Sequence, residues 1–491
     1  MKNSRIRLIA GLALATLILS TMLNLPVIGQ TGLGSISNAA AQSADQTQAN
    51  INVYLPMIVG KYPVVSTFGV EMGSITNAGG LQQVSDAGVH WVRKNGLLWS
   101  VVQPSEGSSY KWSAVADLEN ELINAAKENL QVILIVRSTP SWARKSSGSV
   151  PTCGPIAEDK FDAFGKFLQA AVERYSQPPF NVNYWELYNE PDKPVQDDDD
   201  VYGCWGVPSA SNHLYGGDYY GKMLNAVYPY IKAGNPGAQV LNGGLLLGCS
   251  PDHPADVCGT DESFNFLQGM LQTGANGIDG ISFHSYDYSF PPLGAYSNYS
   301  WNSAWDTTGP VLLAKADFIR QVLAQNGISG KYLVNTESAL IKKGTNVCDF
   351  ACEQNKAYYV SQLYAAGIKA DLRMNVWYSI RSGWENTDLL AAGNNPLPAY
   401  NAYQFVSSEL GDAQFVKSLD YPGVMGYELT RGGLRIWVMW STAEASDVVV
   451  TLPGTPSGVW TWDTTSNQYV AGTPAASITV GRAPLYLEWN P

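Results

Sequence analysis

Positive charge is scarce in this chain of 491 residues. Thirty Lys and Arg stand against 42 Asp and Glu, for a net charge of -12. A nucleic-acid partner needs a basic stripe to neutralise phosphates, and none is present. Histidine is scarcer still: His90, His213, His253 and His284 fall in no H-E-x-x-H spacing, so a catalytic zinc helix is excluded. Past the first 25 residues no apolar run is long enough to span a bilayer. Charged residues make up only 15% of the chain and hydrophobic ones 45%, a globular composition too long for one ordinary core.

What is present begins with export. Lys2, Arg5 and Arg7 precede an apolar run from Leu8 to Leu25, and Ala39-Ala40-Ala41 offers small residues for cleavage, so residues 1–41 read as a signal peptide. The alternative is an uncleaved anchor, since the run reaches spanning length. Residues 42–62 read as a linker or tether holding an apolar patch from Val53 to Val59. Cys153, Cys204, Cys249, Cys258, Cys348 and Cys352 are an even set without C-x-x-C, which favours disulfides over zinc in an exported protein. Fifteen pairings exist; proximity favours Cys249 with Cys258 and Cys348 with Cys352, leaving Cys153 with Cys204.

From Pro63 to Gly411, β-rich runs alternate with amphipathic helical stretches. The runs are Val64 to Val70, Val89 to Lys94, Gln131 to Arg137, Val182 to Tyr188, Gln239 to Leu246, Ile278 to His284, Tyr332 to Glu337 and Met374 to Ile380. Phe161, Phe164, Leu168, Ala171 and Tyr175 keep one helical face apolar. Val115, Leu118, Leu122 and Ala126 do the same after Ser113, a candidate N-cap. Further helices fit Asp218 to Lys232, Ser263 to Leu271, Val311 to Gln325, Glu353 to Ala366 and Ala399 to Leu410. Eight strand-helix units predict a (β/α)8 TIM barrel over residues 63–411. Beyond it, short alternating runs broken by Gly, Pro, Asn and Asp predict an antiparallel β-sandwich over 412–491, with a hairpin turn at Gly432-Gly433. Trp460 and Trp462 share a strand face there, which suits either packing or sugar binding.

Chemistry concentrates at two strand ends. Tyr184-Trp185-Glu186-Leu187-Tyr188-Asn189-Glu190-Pro191 runs an apolar strand into a proline that ends it, leaving Glu190 at the tip. Run seven closes likewise on Glu337. In a barrel both belong to the C-terminal mouth. Two adjacent carboxyls are the equipment for glycosidic hydrolysis: one donates a proton to the leaving oxygen while the other is ionised, and the charge of one raises the pKa of its neighbour. Glu186, roughly 13 Å down an extended strand at 3.3 Å per residue, reads as a barrel-interior residue. Asp197 to Asp200 read as a solvated loop, lacking alternating calcium-ligand spacing. Glu385 lies in the last loop without a distinguishing motif.

The run Trp185-Glu186-Leu187-Tyr188-Asn189-Glu190-Pro191, with Glu337 on run seven, resembles the paired motifs of retaining clan A glycoside hydrolases, and the added C-terminal β domain resembles family 39 and its relatives. The resemblance covers Pro63 to Gly411. It implies Glu190 as acid/base and Glu337 as nucleophile, Arg93 as the arginine holding the nucleophile ionised, and Asn189 on the sugar 2-hydroxyl. By the same likeness His284 and Tyr286 line the site, Tyr286 bonding Glu337, while Trp377 is the platform beneath the sugar and Trp142 a second wall. No metal or organic cofactor is implied. The expectation is a secreted retaining hydrolase of β-linked polysaccharides or oligosaccharides. Tyr288, Phe290, Tyr296, Tyr299, Trp301 and Trp305 tilt it towards endo-action along several subsites. The alternatives are an exo-acting, β-xylosidase-like enzyme, a transglycosylase, and a non-catalytic carbohydrate-binding protein.

Overall fold

The structure is a computed structural model. It describes residues 66–146, 152–194, 203–207, 212–253, 258, 263–342, 348–444 and 446–490. The signal peptide, the linker and Asp197 to Asp200 lie outside the described residues, as does the start of the first predicted run.

Eight parallel strands close into a barrel. They are β1 (Phe68–Glu71), β2 (Trp91–Leu98), β3 (Gln131–Arg137), β4 (Tyr184–Leu187), β5 (Gln239–Asn242), β6 (Gly280–Ser289), β7 (Tyr332–Ile341) and β8 (Leu372–Trp377). Each pairs with the next, β5 meets β6 at Leu241 and Gly280, and β8 returns to β1 at Asn375 and Phe68. A helix follows every strand: α1 (Leu81–Asp86), α2 (Ala116–Lys127), α3 (Phe161–Tyr175), α4 (Gly217–Gly234), α5 (Ser263–Gly274), α6 (Leu312–Gln325), α7 (Phe350–Lys369) and α8 (Pro398–Leu410). The predicted apolar face of α3 is buried as a whole. In α2 the face turns by one residue, burying Ala125 instead of Ala126. Ser113 is not its cap: a 3-10 turn over Trp112–Val115 precedes the helix, and Val115 caps it without a side-chain bond. No helix among the described residues is long and apolar enough to cross a membrane.

Strand alternation stacks the barrel interior in layers. Trp91, Ile133, Tyr184, Leu241, Val334 and Met374 pack in an apolar floor near the N-terminal end. Two residues further along β2 and β4 stand Arg93 and Glu186, both buried and charged. The floor therefore supports a polar layer beneath the mouth.

The C-terminal part is antiparallel. A six-stranded sheet is built from β9 (Gln414–Ser418), β10 (Val424–Arg431), β11 (Leu434–Ser441), β13 (Gly458–Asp463), β14 (Gln468–Ala471) and β16 (Leu485–Trp489), and β12 (Val448–Thr451) pairs with β15 (Ser477–Val480) in a second, smaller layer. Along β11, Trp437 and Met439 face the small layer with Val450 and Val480, while Ile436, Val438 and Trp440 join the core shared with the barrel. Gly432 and Gly433 both take positive φ, 56° and 93°, in the β10–β11 turn, which glycine adopts without steric cost. Three disulfides form as proximity indicated: Cys153–Cys204, Cys249–Cys258 and Cys348–Cys352.

Candidate active site

β4 ends at Leu187, and the chain turns out of the strand with Tyr188 and Glu190 at positive φ, 68° and 45°. Side chains other than glycine adopt this region at a cost, and such residues cluster at functional sites. The turn is fixed from two sides: the Glu190 backbone N–H donates to the Gly244 carbonyl at 3.0 Å, and Asp192 accepts from the N–H groups of Leu246 and Leu247 at 2.9 and 2.7 Å. Because the backbone turns here, the 13 Å spacing expected of an extended strand does not apply.

Glu337 reaches the same place through a break in register. β6 and β7 pair Phe283 with Asn335 and next pair His284 with Glu337, leaving Thr336 as an extra residue. Such a bulge re-aims the side chains beyond it. Thr336 still points down, its hydroxyl 3.5 Å from Glu186. Glu337 consequently stands beside His284 at the mouth.

Arg93 ties the site together. Its Nε and Nη2 donate to the two oxygens of Glu186 at 2.9 and 3.0 Å, Nη2 also donates to Asn189 Oδ1 at 2.6 Å, and Nη1 donates to Glu71 Oε2 at 2.6 Å and to Glu337 Oε1. The planar fork of a guanidinium serves this many acceptors; a lysine could not. Glu186 is fully buried and also accepts from the Gly244 N–H at 2.7 Å, so it anchors Arg93, in keeping with the interior position expected for it. Tyr286 donates from its hydroxyl to Glu337 Oε2. Both oxygens of Glu337 are therefore held.

His284 is completely buried between the two glutamates, Nδ1 lying 2.9 Å from Glu190 Oε1 and 3.6 Å from Glu337 Oε2. Burial pulls its pKa down to about 4, against the upward pull of Glu337, so the imidazole is neutral at ordinary pH. Burial likewise pushes Glu71 up to about 7, opposed by Arg93 and reinforced by Glu337 and Glu186. One arginine facing three carboxylates leaves excess negative charge, and a proton on Glu71 relieves it. Among the described residues, Glu190, His284 and Glu337 are also the group whose donor atoms, within 4.8 Å of one another, could share a metal ion. An oxygen of Glu190 is thus within 4.8 Å of one of Glu337.

These groups border a cavity of about 290 Å³. Asn189, Glu190, Tyr286 and Glu337 line it, together with Glu385, whose position the sequence left open. Arg93 and His284 sit behind that wall, one bonded to Glu337 and the other to Glu190. Two expectations need correction. Trp377 is fully buried, its Nε1 donating to the Thr387 carbonyl at 2.8 Å; strand alternation turns it away, and the aromatic wall comes from Tyr378 and Trp384. Trp142 does not line the cavity: its Nε1 donates to the Gln103 carbonyl, and its ring packs on Trp99 at 5.2 Å. Trp384 stands edge-on to Tyr286 and Tyr378, with centroids 5.4 and 5.3 Å apart. Of the six aromatics that favoured a long cleft, Tyr288 lines the cavity. Tyr296, Trp301 and Trp305 are buried in packing, and Phe290 and Tyr299 are exposed without lining it. Glu71, Asn95 and Lys193 also line it and carried no sequence signal beyond strand-end or loop position.

The molecule is thus a (β/α)8 barrel presenting paired carboxyls at its C-terminal mouth. No family model matches the chain, and no curated protein is similar to it in sequence. Its structural neighbours include glycoside hydrolases of families 39 and 30. A family 39 glycoside hydrolase from Bacteroides cellulosilyticus WH2 superposes with a TM-score of 0.60 at 18% identity, over 87% of this chain and 80% of that one. A family 30 endoxylanase from Clostridium papyrosolvens C71 gives 0.56 at 14%, over 87% and 97%. An α-L-arabinofuranosidase from Thermotoga maritima gives 0.57 at 11%, over 87% and 96%. At these identities the likeness is one of fold.

Proposed function

We propose that the chain is an exported retaining glycoside hydrolase that removes terminal sugar units from oligosaccharides. The observation carrying the reading is the juxtaposition of Glu190, in the turn after β4, and Glu337, past the bulge within β7, with carboxylate oxygens within 4.8 Å. Retaining enzymes hold their carboxyl groups about 5 to 5.5 Å apart, and inverting ones about 6.5 to 9.5 Å to admit a water. Glu337, oriented by Arg93 and Tyr286, attacks the anomeric carbon while Glu190 protonates the leaving oxygen. In the second step Glu190 takes a proton from water, which displaces Glu337 from the glycosyl-enzyme. Neutral His284 is placed to exchange a hydrogen bond with Glu190 in either protonation state, and Trp384 offers a ring for the sugar.

The cavity favours exo-action over the endo-action that the loop aromatics had favoured. Ligand pockets run from about 300 to 1,000 Å³, and this one, at about 290 Å³, is at the lower limit. It suits a short substrate. Two of the neighbours are an endoxylanase and an arabinofuranosidase, so pentosides are the substrates to try first. Export accords with the basic and apolar start of the sequence and with three disulfides.

The test is product analysis on aryl pentosides, aryl hexosides and the matching oligosaccharides, with the anomer first released followed by NMR. Monosaccharides of retained configuration are expected, with turnover insensitive to a chelator. Glu337→Gln should cut kcat by at least about a thousandfold, the order of loss when a covalent nucleophile is removed. Full activity in that variant would sink the assignment, and internal cleavage products would restore the endo reading.

A further inference from the structure

At the opposite end of the barrel from the carboxyl pair lies a larger cavity, of about 960 Å³. Four cations border it: Arg320 on α6, Lys331 just before β7, Lys369 at the end of α7 and Arg373 near the start of β8. In a chain with 42 acidic and 30 basic residues, this is an unexpected concentration. Their partners are mostly neutral. Arg373 donates to the Tyr184 hydroxyl at 2.7 Å and stands 4.4 Å from the centre of the Tyr332 ring. Lys331 donates to the Ile278 carbonyl at 2.5 Å, and Lys369 lies 5.2 Å from the Tyr427 ring centre. Arg320 donates to the Ala370 carbonyl and has Asp317 at 3.9 Å.

Acidic groups nearby do not balance this set. Asp371 is the acid that lines the cavity. Asp279, the acid nearest in effect to Lys331, is engaged by Lys232 at 2.9 Å and by the Tyr228 hydroxyl at 2.8 Å. Among the described residues no carboxylate lies within 4.0 Å of Lys331, Lys369 or Arg373. Cations fixed by carbonyls and rings keep their charge available, and a concave wall focuses it on whatever enters.

We propose that this cavity binds an acidic oligosaccharide, a uronate-bearing chain whose carboxylates meet Arg373, Lys331 and Lys369. Charge selects the anion: arginine grips a carboxylate through two parallel N–H groups, and lysine adds a point charge. Size selects against a lone small ion, since the space approaches the upper limit of ligand pockets at about 1,000 Å³. The rest of the lining suits sugar. Phe415 is 37% exposed and offers a ring face, and Gln414 supplies an amide for hydroxyl groups. Burial lowers the pKa of both lysines, against the pull of Asp279 on Lys331 and of Asp317 on Lys369, so an incoming carboxylate would stabilise their charged form. The choice of a sugar as carrier of the anion rests on the glycosidase reading, although binding here requires no turnover.

The experiment is calorimetric titration of the full chain with trigalacturonate, a neutral xylo-oligosaccharide of equal length and inorganic phosphate, at low and high salt. Trigalacturonate should bind, the neutral sugar should not, and raising salt from about 0.05 M to 0.5 M should weaken binding severalfold as the Debye length shrinks. Replacing both lysines, Lys331→Gln with Lys369→Gln, should weaken it at least about tenfold, the loss expected for hydrogen bonds to charged groups. Hydrolysis of an aryl glycoside by that double variant should match the unaltered protein, which checks that the barrel is intact. Unchanged trigalacturonate affinity in the double variant, or equal affinity for the neutral sugar, overturns the site. Binding of phosphate alone overturns the sugar assignment. An inactive protein that still binds trigalacturonate through these lysines would refute the catalytic reading and leave this one standing.

Discussion

Arg93 decides the electrostatics of the mouth. Three carboxylates share its guanidinium, and neutral His284 adds no positive charge. Glu71 accommodates the imbalance by holding a proton up to about pH 7, against an ordinary value of 4.5. Between those values the folded chain retains this proton while the unfolded chain has released it. The contribution of Glu71 to stability is therefore full below about pH 4.5 and is lost as pH rises through about 7. Glu71→Gln, a neutral isostere, should flatten that decline. Denaturant unfolding from pH 4.5 to 7.5 checks it: the gap between variant and unaltered protein should widen with pH in the variant's favour, up to the order of 3 kcal/mol. A gap independent of pH would show that Glu71 stays ionised.

At the scale of strands, the site depends on small departures from regularity. β5 stops at Asn242, although apolar residues continue to Leu247, because Gly243 and Gly244 carry the chain past the β4 turn. A Cβ on Gly244 would stand 2.1 Å from His284 Nε2 and 2.6 Å from Thr336 Oγ1. Gly244→Ala should therefore displace His284 from Glu190 and lower kcat by about a hundredfold, the loss attached to a misplacement of about 1 Å. Circular dichroism should meanwhile report an intact barrel, and unchanged kcat would mean that the imidazole position is immaterial. The limits of the sequence reading lie at the same places. Periodicity marked all eight barrel strands, and the proline after Glu190 marked the end of β4, since burial and strand termination act locally; β7 does not close on Glu337 as expected but runs on to Ile341. It could not mark the Thr336 bulge, which depends on the register between β6 and β7, or the choice of Tyr378 and Trp384 over Trp377. Glu71, in Phe68-Gly69-Val70-Glu71, became visible only when the closed barrel brought it to Arg93.

For the molecule as a whole, the two β layers beyond Gly411 serve as a brace for the barrel. The disulfides sit after β3, β4, β5 and β7, Cys348–Cys352 tying the loop after β7 to the first turn of α7, and stiffen the face that carries the paired glutamates. The C-terminal sheet instead grips α7 and α8 from outside. Trp462 donates to Gln354 Oε1 at 2.6 Å, the Tyr469 hydroxyl lies 2.7 Å from Ser361 Oγ, and Tyr469 stacks on Phe405 at 4.2 Å. Trp460 packs against Phe405 and donates to Glu488 at 2.7 Å. The tryptophans that suited a sugar platform are thus spent on packing. α7 is buried on nearly every face, Gln354, Ser361 and Gln362 included. If the brace is integral, Trp462→Ala should destabilise the whole chain by about 3 to 5 kcal/mol, the cost of truncating a buried tryptophan. Scanning calorimetry should record one transition moved several degrees lower, because barrel and sheet share a core. Two separate transitions, with the barrel's unmoved, would show instead that the sheet is an independent appendage.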